Sequence, residues 1–369
     1  MNFTIDRNTF LKPLGHIYSV VEKRNTIPIL SNVLIETNSS KVSLTATDMD
    51  MDIVETVECI VSNPGKITVA AHTLYDIVRK LTDGSEIKVE LKDTNLEISS
   101  SKSQFILPTL PVDDYPVMTD IEKGSNFSVQ SIDLANLIDN TKFAISLEET
   151  RYYLNGIYLH VPTSNKDKLR AVATDGHRLA QAEIPLPNGA EELQGIILPR
   201  KAVGEIRKLI DSTDGQVKVI ISSTKAKFIF PNSILTTKLI DGAFPDYQRV
   251  IPQKNLNKLI VSNNDFSKAI DRVSTVSMEK SRAVKLSLKG NILALNVNSH
   301  DLGNASEELE VNYDCDNLDI GFNSKYLLDI AAQIQGKEIE ILLSDSASPA
   351  LITDPDQDGV IFVLMPMRV

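Results

Sequence analysis

The chain carries one sequence pattern three times in series. In each copy an apolar-periodic stretch precedes two strand-like runs, and the second run ends at Thr47 in the first copy, at Thr174 in the second and at Asn298 in the third. These positions are 127 and 124 residues apart, whereas solenoid repeats have periods of about 20–50 residues. The spacing therefore indicates a whole domain present in three copies, and a series of like domains can close into a ring.

The length of 369 residues agrees with three domains of ordinary size. Polar stretches near residues 120–125 and 252–258 separate the copies, and such stretches are typical of connections between domains. We therefore predict domains over residues 1–122, 123–253 and 254–369.

Each copy contains two helix-like stretches and about eight strand-like runs. The first helix of the third copy shows the helical spacing most clearly, and its apolar face comprises Phe266, Ala269, Ile270 and Val273. The strand-like runs alternate apolar and polar side chains, a pattern typical of antiparallel sheets. The predicted fold class is α+β, with three tandem copies of one domain that each place two helices against antiparallel sheets.

The charge of the chain is unevenly distributed. The net charge of −11 argues against a simple basic nucleic-acid binder. Several helix-like stretches are nevertheless neutral to basic, and the one that begins near Arg200 also carries Lys201, Arg207 and Lys208. Two interpretations stay open at this point: these faces are simply solvated, or one helix face from each half of a copy is turned towards a polyanion.

The sequence also bears on the compartment of the protein. It contains no apolar run of the roughly 18 residues that a membrane span requires, and it begins with no signal peptide. Its two cysteines, Cys59 and Cys315, lie at unrelated positions in different copies, which suits a reducing compartment. We therefore predict a cytoplasmic protein that does not enter a membrane.

No motif predicts catalysis, a metal or a cofactor. The turn that contains Asp175 and His177 has no nucleophile beside it, and its Gly176 favours a partner-binding turn because glycine allows close approach. The segment from Asp354 to Gly359 resembles the start of a calcium loop, but Met365 stands where the bidentate glutamate is needed. We interpret that segment as a hairpin turn, and we predict that the protein is not an enzyme.

Several phrases resemble one known family along the full chain. They include Arg151-Tyr-Tyr-Leu-Asn-Gly156, Ala173-Thr-Asp-Gly-His-Arg-Leu-Ala180, Asp241-Gly-Ala-Phe-Pro-Asp-Tyr247 and the terminal Met365-Pro-Met-Arg368. In these phrases the chain resembles the bacterial DNA polymerase III beta subunit, the sliding clamp. The resemblance implies two chains joined head to tail as a six-domain ring, with helices inside and sheets outside, around duplex DNA.

The resemblance also implies the partners and a function. The ring would act as a processivity factor that tethers the replicative polymerase, and its grip on DNA would be topological and independent of sequence. The implied partners are double-stranded DNA, the DNA polymerase III alpha subunit, the clamp loader, and other replication and repair proteins that carry a clamp-binding peptide.

The family's peptide pocket transfers to matching positions of this sequence. Its apolar members would form an adaptable floor, and its arginines and histidine would fix polar groups at the rim. The implied pocket residues are Arg151, Tyr153, Leu154, Thr174, Gly176, His177, Arg178, Leu179, Pro245, Arg249, Val250, Tyr326, Val363, Met365, Pro366, Met367 and Arg368.

Two further sets of residues follow from the resemblance. The implied DNA-binding residues are Arg24, Tyr152 and Arg200. The loop before Tyr152 departs from the family, because Glu148 and Glu149 stand where polar uncharged residues are often found. The implied dimer interface pairs Phe105, Ile106 and Leu107 with Thr275 and Val276.

The alternative function is a protein-binding scaffold that does not encircle DNA. The acidic balance favours the scaffold, whereas the locally basic helices and the repeated phrases favour the clamp.

Overall fold

A computed structural model describes residues 1–23, 26–278 and 282–368 of the chain. Within these residues there are six α-helices, and in chain order they are α1 (Arg7–Val20), α2 (Ala71–Lys80), α3 (Ser131–Lys142), α4 (Arg200–Ile210), α5 (Asn263–Ser274) and α6 (Ser324–Ala331). Short 3-10 turns lie at Pro28–Ser31, Glu149–Leu154 and Tyr247–Val250.

The described residues also form 25 strands. In chain order they are β1 (Asn2–Asp6), β2 (Asn32–Asn38), β3 (Lys41–Thr47), β4 (Met51–Glu58), β5 (Ile60–Asn63), β6 (Gly65–Ala70), β7 (Glu86–Lys92), β8 (Asn95–Ser100), β9 (Ser103–Leu110), β10 (Ser125–Gln130), β11 (Gly156–His160), β12 (Lys168–Thr174), β13 (Arg178–Pro185), β14 (Ile196–Pro199), β15 (Gln216–Ile221), β16 (Lys225–Ile229), β17 (Ser233–Lys238), β18 (Asn257–Ser262), β19 (Ala283–Lys289), β20 (Ile292–Ser299), β21 (Gly303–Glu310), β22 (Leu318–Asn323), β23 (Glu338–Leu343), β24 (Ala350–Thr353) and β25 (Val360–Leu364).

The chain divides into two compact units. Unit 1 comprises Met1–Ala135, Pro187–Gln194 and Lys201–Leu239, and unit 2 comprises Asn136–Leu186, Gly195–Arg200 and Ile240–Val369. In unit 1 thirteen antiparallel strands follow one another in the order β10-β15-β16-β17-β4-β3-β2-β6-β9-β8-β7-β1-β5. Unit 2 contains an eight-stranded sheet, β14-β11-β12-β13-β25-β24-β23-β18, and a four-stranded sheet, β21-β20-β19-β22. Helices and antiparallel sheets in this proportion confirm the predicted α+β class.

The helices pack through the apolar faces that the sequence predicts. In unit 1 the Asp6 carboxylate caps α1 by accepting hydrogen bonds from two backbone N–H groups of its first turn, and α1 packs on α2, β3 and β4. In unit 2 the four predicted residues of α5 are all buried, and α5 packs on α6 and on strands of both sheets. Complete burial of one large apolar side chain contributes roughly 1.5–3 kcal/mol, so these faces hold the helices in place.

Strand pairing joins consecutive copies within each unit. In unit 1 the last strand of the second copy, β17, pairs with β4 of the first copy, and Leu235 lies opposite Ile53. In unit 2 the last strand of the third copy, β25, pairs with β13 of the second copy, and Phe362 lies opposite Ala180. Both junctions therefore pair the last strand of one copy with the equivalent strand, β4 or β13, of the preceding copy.

The β3–β4 and β12–β13 hairpins have the same turn. Thr47 Oγ1 accepts a hydrogen bond from Met49 N at 3.1 Å, and Thr174 Oγ1 accepts one from Gly176 N at the same distance. The φ angle is 77° at Met49 and 89° at Gly176, in the left-handed region that favours glycine. The backbone of the turn therefore belongs to the repeated domain, and what differs in the second copy is the set of side chains around it.

Candidate functional site

Unit 2 contains a cavity of about 300 Å³ at the end of the β12–β13 hairpin. The 3-10 turns Glu149–Leu154 and Tyr247–Val250 and the C-terminal end of β25 complete its wall. Eleven lining residues belong to the predicted pocket: Arg151, Tyr153, Leu154, Thr174, Gly176, Arg178, Leu179, Pro245, Val250, Val363 and Met365. Two others, Asp246 and Tyr247, were not predicted.

The hairpin turn shapes one side of the cavity. Asp175 Oδ1 accepts hydrogen bonds from the backbone N–H groups of His177 and Arg178 at 2.9 and 3.0 Å. A Cβ atom at Gly176 would lie 2.6 Å from the Arg151 guanidinium. Glycine suits the positive φ of this turn, although Met49 adopts a similar φ in the first copy, and a side chain at this position would require the Arg151 guanidinium to shift.

Arg151 is held against this turn by two hydrogen bonds. Its Nε donates to Glu148 Oε2 at 2.7 Å, and another guanidinium nitrogen donates to the Asp175 carbonyl at 2.9 Å. The bond from Arg151 lowers the pKa of Glu148, so this carboxylate is ionised at neutral pH. Glu148 thus helps to position Arg151, and both Glu148 and Glu149 are exposed.

Arg178 ties the hairpin to two helical segments of unit 2. It donates hydrogen bonds to Asp175 Oδ2 at 3.0 Å, to Asp329 Oδ2 at 2.6 Å and to the Phe143 carbonyl at 2.6 Å. Its guanidinium also lies 4.3 Å from the centroid of the Tyr326 ring. Because Arg178 is only 9% exposed, these contacts fix the pocket wall more than they offer a charge to a ligand.

The remaining wall is apolar. Leu179, Tyr247 and Val363 belong to one buried cluster beneath the cavity, while Val250 is 45% exposed and Met365 is 39% exposed. A buried apolar floor with an exposed methionine at its edge suits a ligand with apolar anchors, because the flexible methionine side chain adapts to the shape of the ligand.

Six predicted pocket residues lie near the cavity but do not line it. Tyr326 stacks with His177 at 6.4 Å between ring centroids, and the His177 carbonyl accepts the backbone N–H of Met365. The others follow the lining residues along the chain: Arg249, which pairs with Asp246, and Pro366, Met367 and Arg368 after β25. Met367 N donates to the Gly321 carbonyl at 2.8 Å, which fixes the backbone of the tail.

The sequence did contain a signal for the two residues that we missed. The phrase from Ala243 to Tyr247 resembles the phrase from Asp113 to Pro116 in the first copy. A tyrosine that recurs at the end of a domain is a candidate for a fixed structural position, and Tyr247 is buried and lines the cavity.

The predicted DNA-binding residues have different surroundings. Arg24 lies outside the described residues. Tyr152 is 54% exposed, and Arg200 is the exposed first residue of α4. The other basic residues of α4 form ion pairs with carboxylates: Lys201 with Asp48, Arg207 with Asp211 and Lys208 with Glu205. Much of the positive charge noted in the sequence is thus already compensated.

The predicted interface residues lie on a strand and after a helix. Phe105, Ile106 and Leu107 belong to β9, and Ile106 is 59% exposed. Among the described residues, positions 103–108 of β9 pair only with β8, so one edge of this strand is free. Thr275 is exposed and Val276 is partly buried just beyond the end of α5.

Two other expectations concern metals and membranes. The segment from Asp354 to Gly359 joins β24 to β25, and the Asp354 carboxylate accepts hydrogen bonds from the backbone of Gln335 and Gly336. In the part of the chain that the structure describes, no cluster of three or more His, Cys, Asp or Glu residues has the arrangement of a metal site. None of the described helices combines the length and apolar character needed to cross a bilayer.

Comparison with known proteins identifies the family. Sequence profiles of the DNA polymerase III beta subunit match in series: the N-terminal domain over residues 1–119, the central domain over 128–246 and the C-terminal domain over 248–368. The beta sliding clamp of Caulobacter vibrioides is 50% identical over 372 residues, and that of Escherichia coli is 36% identical over 371 residues; each match covers all of both chains.

A solved structure has the same fold over its whole length. The DnaN sliding clamp (DNA polymerase III subunit beta) from Bartonella birtlesii bound to griselimycin is 49% identical, with a TM-score of 0.97 and complete coverage of both chains. These matches confirm the resemblance drawn from the sequence, and they do not favour the scaffold alternative. The chain belongs to the DNA polymerase III beta subunit family, the DNA sliding clamps of replication.

Proposed function

We propose that two copies of this chain close head to tail into a six-domain ring around duplex DNA, through strand pairing between β21 of one copy and β9 of the other. The observation that carries this proposal is the repeated junction. β4 and β13 are each paired with the last strand of the next copy. The corresponding strand of the third copy, β21, pairs only with β20 among the described residues. Of the strands that end each copy, β9 is the one that has a free edge in the part of the chain that the structure describes.

The register of this third junction follows from the first two. Equivalent positions in the three copies share one backbone contact, which is pairing with the strand that precedes the second helix of the copy. These positions are Leu110, Ile240 and Met367. Counting back five residues gives Phe105, Leu235 and Phe362. On the other strand of each junction, the equivalent residue is the one that pairs, within its own copy, with the residue before Thr47, Thr174 or Asn298. These residues are Ile53, Ala180 and Ala305.

Since Leu235 lies opposite Ile53 and Phe362 opposite Ala180, Phe105 is expected opposite Ala305 of the second copy. Antiparallel pairing over this length would satisfy the free backbone groups of both edges. The proposal retains Phe105, Ile106 and Leu107 as interface residues and adds β21, while Thr275 and Val276 would lie beside the paired strands.

Cysteine cross-linking tests the register. In a background in which Cys59 and Cys315 are replaced by serine, Phe105→Cys with Ala305→Cys is expected to form a disulfide between chains under mild oxidation, because opposed Cα atoms lie about 4.5–5.5 Å apart. The matched control pairs Phe105→Cys with Asn304→Cys, whose side chain points to the other face. Equal cross-linking of both pairs, or of neither, would refute the proposed register.

The DNA would lie in the central opening of the ring. Exposed cations such as Arg200, together with Arg24 and Tyr152, would contact phosphates without reading sequence. The acidic remainder of the chain keeps DNA from other surfaces. Encirclement makes tight contact unnecessary, which agrees with the ion pairs that compensate most of the basic residues on α4.

The cavity of unit 2 would bind a short peptide from partner proteins. Its apolar floor accepts leucine- or phenylalanine-sized anchors, and its polar rim fixes the peptide backbone. The proposed partners are the polymerase III alpha subunit, the clamp loader, and replication and repair proteins with a similar peptide. Griselimycin, which the Bartonella birtlesii relative binds, is a second probe, and we expect it to compete with such a peptide.

The same assignment covers the remaining properties of the chain. The protein would act by tethering and not by catalysis, without a cofactor, in the cytoplasm where DNA is replicated. We propose domain boundaries at residues 1–122, 123–253 and 254–369.

A further inference from the structure

A charged cluster lies behind the pocket wall and contacts the wall through Tyr247. The Tyr247 hydroxyl accepts a hydrogen bond from an Arg170 guanidinium nitrogen at 2.7 Å, and it lies 2.9 Å from His160 Nε2. Arg170 in turn donates from Nε to Glu183 Oε1 at 2.5 Å. Tyr247 is also one of the residues that line the cavity, so a single residue connects the cluster to the ligand site.

The cluster is built on three adjacent strands. His160 on β11 lies opposite Arg170 on β12, and Arg170 lies opposite Glu183 on β13. Side chains at opposed positions share one face of the sheet. The three residues therefore form a row whose spacing is set by the sheet. Contacts with this row fix the position of the Tyr247 hydroxyl relative to the sheet.

The ring of Tyr247 is held as well as its hydroxyl. His160 stacks on Tyr158 with centroids 4.5 Å apart, and Tyr158 stacks on Phe244 at 4.8 Å. Phe244 meets the Tyr247 ring edge to face at 6.3 Å. Contacts to both the ring and the hydroxyl therefore hold the Tyr247 side chain in one orientation, and in that orientation Tyr247 forms part of the pocket wall.

The protonation state of His160 is consistent with these contacts. Burial, and to a smaller extent the charge of Arg170, lowers the pKa of His160 to about 4. His160 is therefore neutral at pH 7, and its Nε2 can accept the Tyr247 O–H while Arg170 donates to the same oxygen. The hydroxyl then has one acceptor and one donor as partners.

The first copy of the domain provides an internal comparison. Its buried tyrosine, Tyr115, donates to the backbone carbonyls of Thr45 at 2.9 Å and Asn32 at 3.2 Å. The positions that correspond to His160, Arg170 and Glu183 are Glu36, Ser43 and Thr56. A buried tyrosine at the end of a domain thus does not require a charged row, and the row occurs in the copy that carries the pocket.

We propose that Arg170, His160 and Glu183 are positioning residues for the peptide pocket, which act by fixing Tyr247 in its wall. This inference rests on the proposed peptide-binding function. Loss of the row would leave the cavity present but its wall mobile, so the peptide would have to order Tyr247 on binding. We expect about a tenfold loss of affinity when either side of the contact is removed.

A double-mutant cycle tests the proposal by titration calorimetry. The probe is a synthetic peptide that copies the clamp-binding segment of the polymerase III alpha subunit from the same organism, called the alpha-subunit peptide below. One arm is Tyr247→Phe. The other arm is Arg170→Met with Glu183→Gln, because the carboxylate would otherwise lose its cation while buried. Thermal unfolding of each variant reports whether it is folded.

The expected result is about a tenfold weaker Kd in each arm and no further loss when the two are combined, because both remove the same contact. Tyr115→Phe is the matched control; it removes a buried hydroxyl from the first copy and is expected to leave peptide affinity unchanged. Unchanged affinity in either arm, or losses that multiply in the combination, would overturn the inference. Failure of the unaltered protein to bind the peptide would overturn the pocket assignment and this inference with it.

Discussion

Replacement of Arg178 by leucine is expected to lower the free energy of unfolding by about 3–5 kcal/mol. The guanidinium is buried and donates to Asp175, Asp329 and the Phe143 carbonyl. Leucine fills part of the space but leaves two carboxylates without their cation in a poorly solvated site, and that cost exceeds the value of the original ion pairs. Urea unfolding at neutral pH measures the change.

Arg249→Leu is the matched control for this prediction. Arg249 also pairs with an aspartate at the pocket, Asp246, but its side chain is 83% exposed. Solvent screens such a pair, so its loss is expected to change the free energy of unfolding by less than about 1 kcal/mol. If the two variants unfold at similar urea concentrations, Arg178 does not have the structural role assigned to it.

Met365→Ala is expected to weaken binding of the alpha-subunit peptide roughly 30-fold. Met365 lines the cavity and is 39% exposed in the free protein, so a bound peptide would remove much of its apolar surface from water. Loss of that contact corresponds to roughly 2 kcal/mol. Stability of the free protein should change little, because the Met365 backbone hydrogen bond to His177 is retained.

Met367→Ala serves as the comparison for Met365→Ala. The two methionines are two residues apart in the same tail, but Met367 does not line the cavity. Calorimetric titration is expected to show a Kd for Met367→Ala within about threefold of that of the unaltered protein. A larger loss for Met367→Ala than for Met365→Ala would mean that the peptide follows a different path along the tail.

Local periodicity was sufficient to predict the helices and the α+β class. The face of α5 was correct because residues three and four apart on a helix share a side. The three-copy pattern predicted a repeated domain, since equivalent turns such as those at Thr47 and Thr174 need the same hydroxyl acceptor. These features depend on residues close together in the chain.

Features that depend on distant residues were not predictable in the same way. Lys201 pairs with Asp48, which lies 153 positions earlier. The helix α4 therefore has less uncompensated positive charge than its sequence indicated. Likewise, the partners of the Tyr247 hydroxyl, Arg170 and His160, lie 77 and 87 positions away. No local pattern indicates which distant group will satisfy a buried polar atom.

The proposed interface strand β21 was absent from the sequence-based prediction for a related reason. Its sequence from Gly303 to Glu310 is polar and acidic, whereas the sequence-based search favoured an apolar helix end near Val276. Edge pairing depends on backbone groups and on register, which side-chain composition reports poorly. The basis for proposing β21 as the third member of the set is the pairing of β4 and β13 with their neighbours in the folded chain.

Retention on DNA of a covalently closed ring tests the central claim most directly. The Phe105→Cys and Ala305→Cys variant would be loaded by the clamp loader onto nicked circular DNA, cross-linked, and passed through a sizing column in high salt. Encirclement predicts that the protein stays with the circle and is released once a restriction enzyme makes the DNA linear. Release from intact circles, or retention on linear DNA with free ends, would contradict a ring closed around the duplex.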